Sequence, residues 1–434
     1  MGYAFTRDDV AYLGSAAGAA ALAEADRLPL TAATLLRDLE RLRREFGDRA
    51  AALVETVRLR RRAAAKLDGA ARWLCTDDAL QQATPTAVAR HRARRLAGRT
   101  VHDVTCSIGA ELVELSRVCP AVVGSDLDAV RLDMAAQNLN AVRLEALSQG
   151  LRPSGATPTA VAGAPSEDAA AASAGPGRMP ESCGARNVLL AKADALAPCS
   201  TAEVVIADPA RRADGRRTHD PAKLQPPLPD LLAAYAGRDL VVKCGPGLDF
   251  DRLDWAGEIE VVSLDGAVRE ACLWSAGLAE AGVTRRATVL SASGVGWSIT
   301  DAEPDHIPER EPGEWIIDPD GAVVRAGLVR HYAAKHGLWQ LDPRIAYLTG
   351  DTVPEGVRGF HVRHRMGFRE KPLRAELHRR DCGPLEILTR GVDIDPDALR
   401  GRLRPRGSRP HTLVITRIGR APTVFVCDTP APIA

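Results

Sequence analysis

The chain has 434 residues, 45% of them apolar and 4% aromatic, with 57 Lys plus Arg against 56 Asp plus Glu. That length exceeds what one hydrophobic core serves and predicts two or three domains, while the near-zero net charge excludes a globally basic nucleic-acid binder, so any such role must rest on local charge. Nine cysteines without a CxxC pair argue against a disulfide framework or a zinc cluster and lead us to expect a cytoplasmic protein, and the absence of a basic leader or a long apolar run argues against secretion or a membrane span.

Residues 1–84 read as a helical region. Segments 28–46 and 50–73 are dense in Ala, Leu, Arg and Glu, with apolar residues recurring at three and four positions. Arg58, Arg60, Arg61, Arg62 and Lys66 form a positive patch, either a solvated helix face or an RNA contact. The polar stretch TDDALQQATP at 76–85 reads as a bridge, and the basic helix VARHRARRL at 88–96 leads into the first strand.

An alternating order follows: strand 100–104, helix 109–118, strand 121–125, helix 129–142, and strands at 187–191 and 203–207. A helix near 224–236 and strands at 239–243, 258–264 and 286–292 complete it. Short apolar strands separated by helices predict a largely parallel α/β sheet with both faces covered. Residues 148–186 are dominated by Gly, Pro, Ala and Ser and read as a disordered insertion, removable with little loss of stability. Beyond 298 a smaller α/β domain is expected. GEWIIDPDGAVVRAGLV supplies a strand and turn, LVRHYAAKHGL a helix, GFHVRHRMGF a strand, DPDALRGRL a helix, and HTLVITRI and PTVFVCD the closing strands. Residues 351–420 carry 16 Lys plus Arg against 9 Asp plus Glu, an excess of seven, which is where an acidic polymer is expected to dock.

The strongest constellation begins in VHDVTCSIGAELVEL, where Asp103 ends a strand and a loop through Thr105, Cys106, Ser107 and Gly109 leads into a helix. Small residues let backbone approach a ligand there. The next strand ends at Asp126, 23 residues after Asp103, where a carboxylate can accept from both hydroxyls of a ribose. The same geometry serves NAD, but the loop lacks the GxGxxG spacing that seats a pyrophosphate.

These segments resemble class I S-adenosylmethionine-dependent methyltransferases, especially those acting on RNA. DVTCSIGAE at 103–111 is similar to their first cofactor motif, GSDLDAVRLDMAAQN at 124–138 to the second, and KADAL at 192–196 to the third. The resemblance implies a Rossmann-like methyltransferase domain over 85–297 and S-adenosyl-L-methionine as cofactor. The loop of Asp103, Thr105, Cys106 and Gly109 would surround its methionine part, Asp126 and Leu127 its ribose, and Asp194 its adenine. Thr105 and Ser107 stand where the family often has Leu and Gly, and Ser107 costs the loop conformational freedom. The entry loop suggests Gln82 and Thr84 over the cofactor.

The fourth segment, VVIADPARRADGRR at 204–217, resembles the D/N-P-P-Y/F motif of enzymes that methylate exocyclic amines. Asp208 and the carbonyl held by Pro209 would bind the amine. The aromatic residue is replaced, so Arg211 and Arg212 become candidates for stacking on a base or holding phosphate, with Lys243 of DLVVKCGPGLDF at the cleft edge. Cys244 invites comparison with thiolate enzymes, although no second cysteine motif accompanies it. Residues 298–434 resemble the THUMP-like domain that accompanies this methyltransferase type and implies RNA handling.

The resulting expectation is methyl transfer to a nucleobase nitrogen in structured RNA, ribosomal or transfer, without metal; His361, His364 and His378 lack ligand spacing. Two rivals stay open: an RNA-binding protein that keeps the fold without turnover, and a methyltransferase for a protein or small molecule.

Overall fold

A computed structural model describes residues 2–148, 187–210, 212–213, 216–217, 220–250, 253–294 and 296–429. The expected insertion at 148–186 falls, apart from its first residue, outside the described residues. The chain divides into two compact units, Met1–Asp249 and Phe250–Ala434.

The first unit begins with helices α1 (Arg7–Leu13), α2 (Ala16–Asp26), α3 (Leu35–Phe46) and α4 (Ala50–Ala63). Thr6 and Asp9 form a reciprocal capping box on α1, and Ser15 caps α2 by accepting from the Gly18 amide. These side chains satisfy amides that have no partner within the helix. The stretch read as a bridge is helix α5 (Asp77–Gln82), capped by Thr76 with Asp77 and Asp78 in its first turn. Its cap and acidic start were a helix signal inside a polar sequence. Helix α6 (Thr86–Arg95) follows.

Strands β1 (Val101–Asp103), β2 (Val122–Asp126), β3 (Val188–Lys192) and β4 (Val204–Ala207) come next, with α7 (Ala110–Val118) and α8 (Ala129–Ser148) between the first three. The two-residue strands β5 (Arg212–Ala213) and β6 (Arg216–Arg217) pair with each other, and α9 (Leu228–Ala234) leads to β7 (Asp239–Cys244). The large strands lie in the order β7-β4-β1-β2-β3, all parallel. All four β4 residues are buried, which explains why this strand reads as a continuous apolar run. The chain builds outward from β1 to β3 and then returns to β4 on the other side of β1. The carboxyl ends of β1 and β4 therefore flank the point where the winding reverses, where such sheets hold ligands.

One buried side chain ties the helical region to this sheet. Asn138 of α8 accepts from the Leu74 amide at 2.7 Å and donates to the carbonyls of Leu74 (2.9 Å) and Ile108 (3.0 Å).

In the second unit, β8 (Glu258–Leu264), β9 (Ala267–Trp274), β10 (Arg285–Leu290) and β11 (Gly296–Thr300) lie in the order β11-β10-β8-β9. Strands β8 and β9 form a hairpin. Strand β9 is absent from the strands expected from sequence, although Asp265–Gly266, both at positive φ, is a two-residue hairpin signal. A seven-stranded sheet is built from β12 (Trp315–Ile317), β13 (Trp339–Asp342), β14 (Ile345–Gly350), β15 (Gly359–Gly367), β16 (Cys382–Arg390), β17 (Arg409–Ile418) and β18 (Ala421–Asp428). It runs β13-β14-β12-β15-β18-β17-β16, and the one parallel pair, β16 with β17, is joined through a helix. The helices are α10 (Gly321–Ala326), α11 (Val329–Lys335), α12 (Glu370–Arg379) and α13 (Pro396–Leu403). Helix α10 replaces the expected turn, with Asp320 as its cap and left-handed Gly327 at its end. Leu373, Leu377, Leu399 and Leu403 of α12 and α13 are buried with Leu413, Ile415, Val424 and Val426 of the sheet. The result is an α/β chain with an N-terminal helical region and a smaller C-terminal α/β part.

Among the described residues no helix is long and apolar enough to cross a membrane.

Candidate active site

The site grows from the end of β1. Asp103 is 3% exposed, and its carboxylate accepts from the Thr105 amide at 3.0 Å and the Thr105 hydroxyl at 3.4 Å, folding the chain back at once. The loop then passes through two left-handed residues, Ser107 (φ 49°) and Gly109 (φ 82°). Glycine takes that conformation without cost; serine does not. A partner offsets the strain: the Ser107 amide donates to the Asp126 carboxylate at 3.0 Å. A side chain at Gly109 would meet the Ala135 Cβ at 3.2 Å, so this glycine lets α7 start close against α8. The second oxygen of Asp126 accepts from the Asp128 amide at 2.9 Å, and Asp128 caps α8 through the amides of Val130 and Arg131. The carboxylate that ends β2 thus braces the loop after β1.

Two cavities meet at this switch point. The larger, about 660 Å3, is lined by Val104, Thr105, Asp126, Leu127 and Asp194 on one side and by residues 223–227 on the other. Leu127, 61% exposed, offers an apolar face beside the acidic tips. Asp194 accepts from the Leu196 amide at 2.9 Å, which fixes its turn. The smaller cavity, about 180 Å3, is lined by Gln82, Thr84, Asp103, Thr105, Cys106, Asp126, Asp208 and Lys243. Gly109 lines neither and acts through the backbone. Arg211 lies outside the described residues, and of Arg212 only the backbone is described.

The end of β4 is joined to the end of β1. The Asp208 amide donates to the Thr105 hydroxyl at 2.7 Å, so Thr105 links the first and fourth motifs. Pro209 is buried, and Ala210 exchanges two backbone hydrogen bonds with Gln225 at 2.8 and 3.0 Å, which draws the lining segment 223–227 against the motif. Lys243, 6% exposed, donates to Asp208 Oδ2 at 2.6 Å and lies 3.7 Å from Glu111 Oε1. Glu111 in turn pairs with the guanidinium of buried Arg92 at 3.2 Å. Sequence reading missed Glu111 and Arg92. The available signal was an acidic residue at the start of the apolar helix ELVEL, whose burial requires a cation.

Three carboxylates, Asp103, Glu111 and Asp208, therefore act on the Lys243 ammonium, and Glu111 is shared with Arg92. Burial pushes the Asp103 carboxyl up to about 7; Lys243 opposes the shift, and the charges of Glu111 and Asp208 add to it. A pocket with one carboxylate held near neutrality by desolvation suits a ligand that brings positive charge. Burial also pushes the Cys106 thiol well above its ordinary range, so Cys106 serves as a small apolar wall and not as a thiolate. Cys244 is likewise buried.

A family model described as THUMP domain-like matches residues 357–429, and a model for a domain of unknown function matches 6–63. S-adenosylmethionine-dependent methyltransferases from two strains of Mycobacterium tuberculosis are each 52% identical over 399 residues, covering 89% of this chain and 99% of theirs. A crystal structure of a Porphyromonas gingivalis protein described as a methyltransferase shares the fold, with a TM-score of 0.64 at 17% identity, covering 88% of this chain and 91% of that one. The chain therefore belongs to the S-adenosylmethionine-dependent methyltransferases and carries a THUMP-like domain at its C-terminal end.

Proposed function

We propose that the enzyme transfers a methyl group from S-adenosyl-L-methionine to a nucleobase nitrogen in structured RNA, ribosomal or transfer. The observation that carries this reading is Asp208-Pro209 at the end of β4, with its backbone fixed by Thr105 and its carboxylate fixed by Lys243.

The residues present suit the cofactor. Asp126 and Leu127 would hold its ribose, Asp194 its adenine, and Asp103, Thr105 and Cys106 its methionine part, with Gln82 and Thr84 above. When bound, the cofactor supplies an electrophilic methyl on a sulfonium. The chain supplies alignment and exclusion of water. Lys243 holds Asp208 Oδ2, which leaves Oδ1 to accept from the substrate amine. The Pro209 carbonyl is the second acceptor, and the proton lost on methylation passes to the Asp208 carboxylate. Lys243 thereby assists the substrate through Asp208. Arg211 and Arg212 keep the proposed role of base or phosphate contacts, in place of the missing aromatic ring.

This reading assigns 1–84 to a helical region, 85–297 to the methyltransferase domain and 298–434 to the THUMP-like domain. The family match at 357–429 falls in the last, and the division at Asp249 and Phe250 falls within the second. A THUMP-like domain supports RNA as the partner. The test is mass spectrometry of nucleosides from RNA of cells with and without the gene. A methylated base lost in the deletion and restored by wild type but not by D208A supports the proposal. Unchanged nucleosides, with cofactor binding intact, would move the substrate to protein or a small molecule.

A further inference from the structure

We infer a second ligand site, in the helical part of the first unit, for a small amphiphilic anion: an aliphatic body with a carboxylate or phosphate head. A cavity of about 730 Å3 lies among α2, α4, the segment 71–74 and the second half of α8. None of its lining residues lines the two cavities at the switch point. Its size is that of a small-molecule pocket. Leu13, Leu22, Val57, Leu74, Ala141 and Leu144 give it an aliphatic wall, and Leu144 is left 65% exposed. No aromatic ring lines it, which favours an aliphatic body over a stacked base.

The charge of the head follows from one arginine. On α4, Arg58 lies 3.8 Å from Glu55, Arg62 pairs with Asp77 at 2.5 Å, and Arg61 binds Asp26 at 2.9 Å as well as the carbonyls of Leu28 and Pro29. The patch that reads in sequence as either a solvated helix face or an RNA contact is thus largely satisfied within the chain. Arg60 differs. Its Nε donates to the Trp73 carbonyl at 2.9 Å, which fixes the side chain, and among the described residues no carboxylate lies within ion-pair distance of it. Asp26 is the one carboxylate residue lining the cavity, and Arg61 already holds it. Burial lowers the Arg60 guanidinium to about 10, with the charges of Cys75 and Asp26 opposing the shift. An anionic head supplies the ion-pair partner that Arg60 lacks, through its two Nη groups, in the forked geometry guanidinium favours. Arg72, exposed and also lining the cavity, adds positive charge.

The test is calorimetry on the full chain with decanoate, decyl phosphate and, as the uncharged body, decanol. Saturable binding of decanoate or decyl phosphate at one site is expected, and the tighter of the two identifies the head. Arg60→Gln should weaken it about tenfold or more, the effect of losing a charge-assisted hydrogen bond, while leaving decanol unchanged. Arg60→Lys should recover part of the loss, and Ala141→Phe should block binding by filling the cavity. Unaltered binding of S-adenosylmethionine shows that each variant is folded. The inference fails if neither anion binds saturably, if Arg60→Gln binds them as wild type does, or if binding appears only after deletion of 149–186, which would make that segment the occupant.

Discussion

Cofactor affinity is expected to depend on the protonation of Asp103. Burial moves its carboxyl from 3.8 up to about 7 in the free protein, against the pull of Lys243. On the proposed placement of the cofactor, its sulfonium brings a permanent positive charge to the pocket that Asp103 lines, so the bound state favours the carboxylate and binding displaces the proton. With a free-state value near 7, about one molecule in eleven is ionised at pH 6 and about nine in ten at pH 8. Apparent affinity scales with the competent fraction, so Kd should be about tenfold weaker at pH 6 than at pH 8.

The sign for stability is the reverse. A carboxyl raised above its unfolded value favours the folded state below the unfolded value, and this contribution is lost as pH rises through about 7. The free enzyme should therefore lose stability as pH rises from about 4 to about 7, and the cofactor should restore more of it at the upper end. Calorimetry at pH 6, 7 and 8, in buffers of different ionisation enthalpy, reads both affinity and proton release. D103N, which cannot ionise, should bind with a flat pH profile. An invariant Kd across this range, or the same slope in D103N, would refute the reasoning.

Four further outcomes follow from the geometry. D208A should keep its cofactor affinity within a few-fold and lose transfer by about 100-fold or more, measured in single turnover, because in the proposed mechanism Asp208 acts on the nucleophile. Asn138→Ala should destabilise the protein by about 2–4 kcal/mol in urea unfolding, since it leaves three buried backbone groups without their partner. His102, buried between the hydroxyls of Ser125 and Ser200 at 2.9 Å each, is pushed down to about 4 by burial, with Arg238 adding to the shift. Its neutral ring contributes stability present above about 6.5 and lost as pH falls toward 4, so H102N should flatten the melting temperature over that range. If RNA is the partner as proposed, replacing exposed Arg404, Arg406 and Arg409 in the C-terminal sheet domain should weaken RNA binding and reduce its salt dependence, measured by filter binding. Replacing Arg363 and Arg365, which pair with Asp428 at 2.6 Å and Glu311 at 2.8 Å, should do less.

The alternation of strands and helices was legible because burial on both faces writes itself into sequence as short apolar runs, and the acidic tips because each stands at a strand end or within two residues of it. Helix α5 and strand β9 were hidden for opposite reasons. The first is a helix in polar residues, marked by its cap, and the second carries Arg269 and Glu270 inside an otherwise apolar run. Thr105 was singled out for its place in the loop, but its hydroxyl bond to the Asp208 amide joins residues 103 positions apart, and no local pattern encodes such a pairing. Lys243 reads as a cation at a cleft edge until its ammonium is found between Asp208 and Glu111.

Charge counting fails in the same way and shows what a count omits. The excess of seven over 351–420 treats every arginine as available. Eight of those sixteen cations are in ion pairs: Arg358 with Glu386, Arg363 with Asp428, Arg365 with Glu311, Arg379 and Arg380 with Glu376, Arg390 with Asp318, Arg400 with Asp397 and Arg402 with Glu370. Three of the partner carboxylates, Asp428, Glu311 and Asp318, lie outside the window that was counted. What remains for a phosphate backbone is a smaller set, in two groups of three, Arg369, Lys371 and Arg374 at α12 and Arg404, Arg406 and Arg409 between the end of α13 and β17, with Arg417 and Arg420 beyond them. An acidic polymer meets surface potential summed over partners, so the location of unpaired arginines predicts its path better than their number.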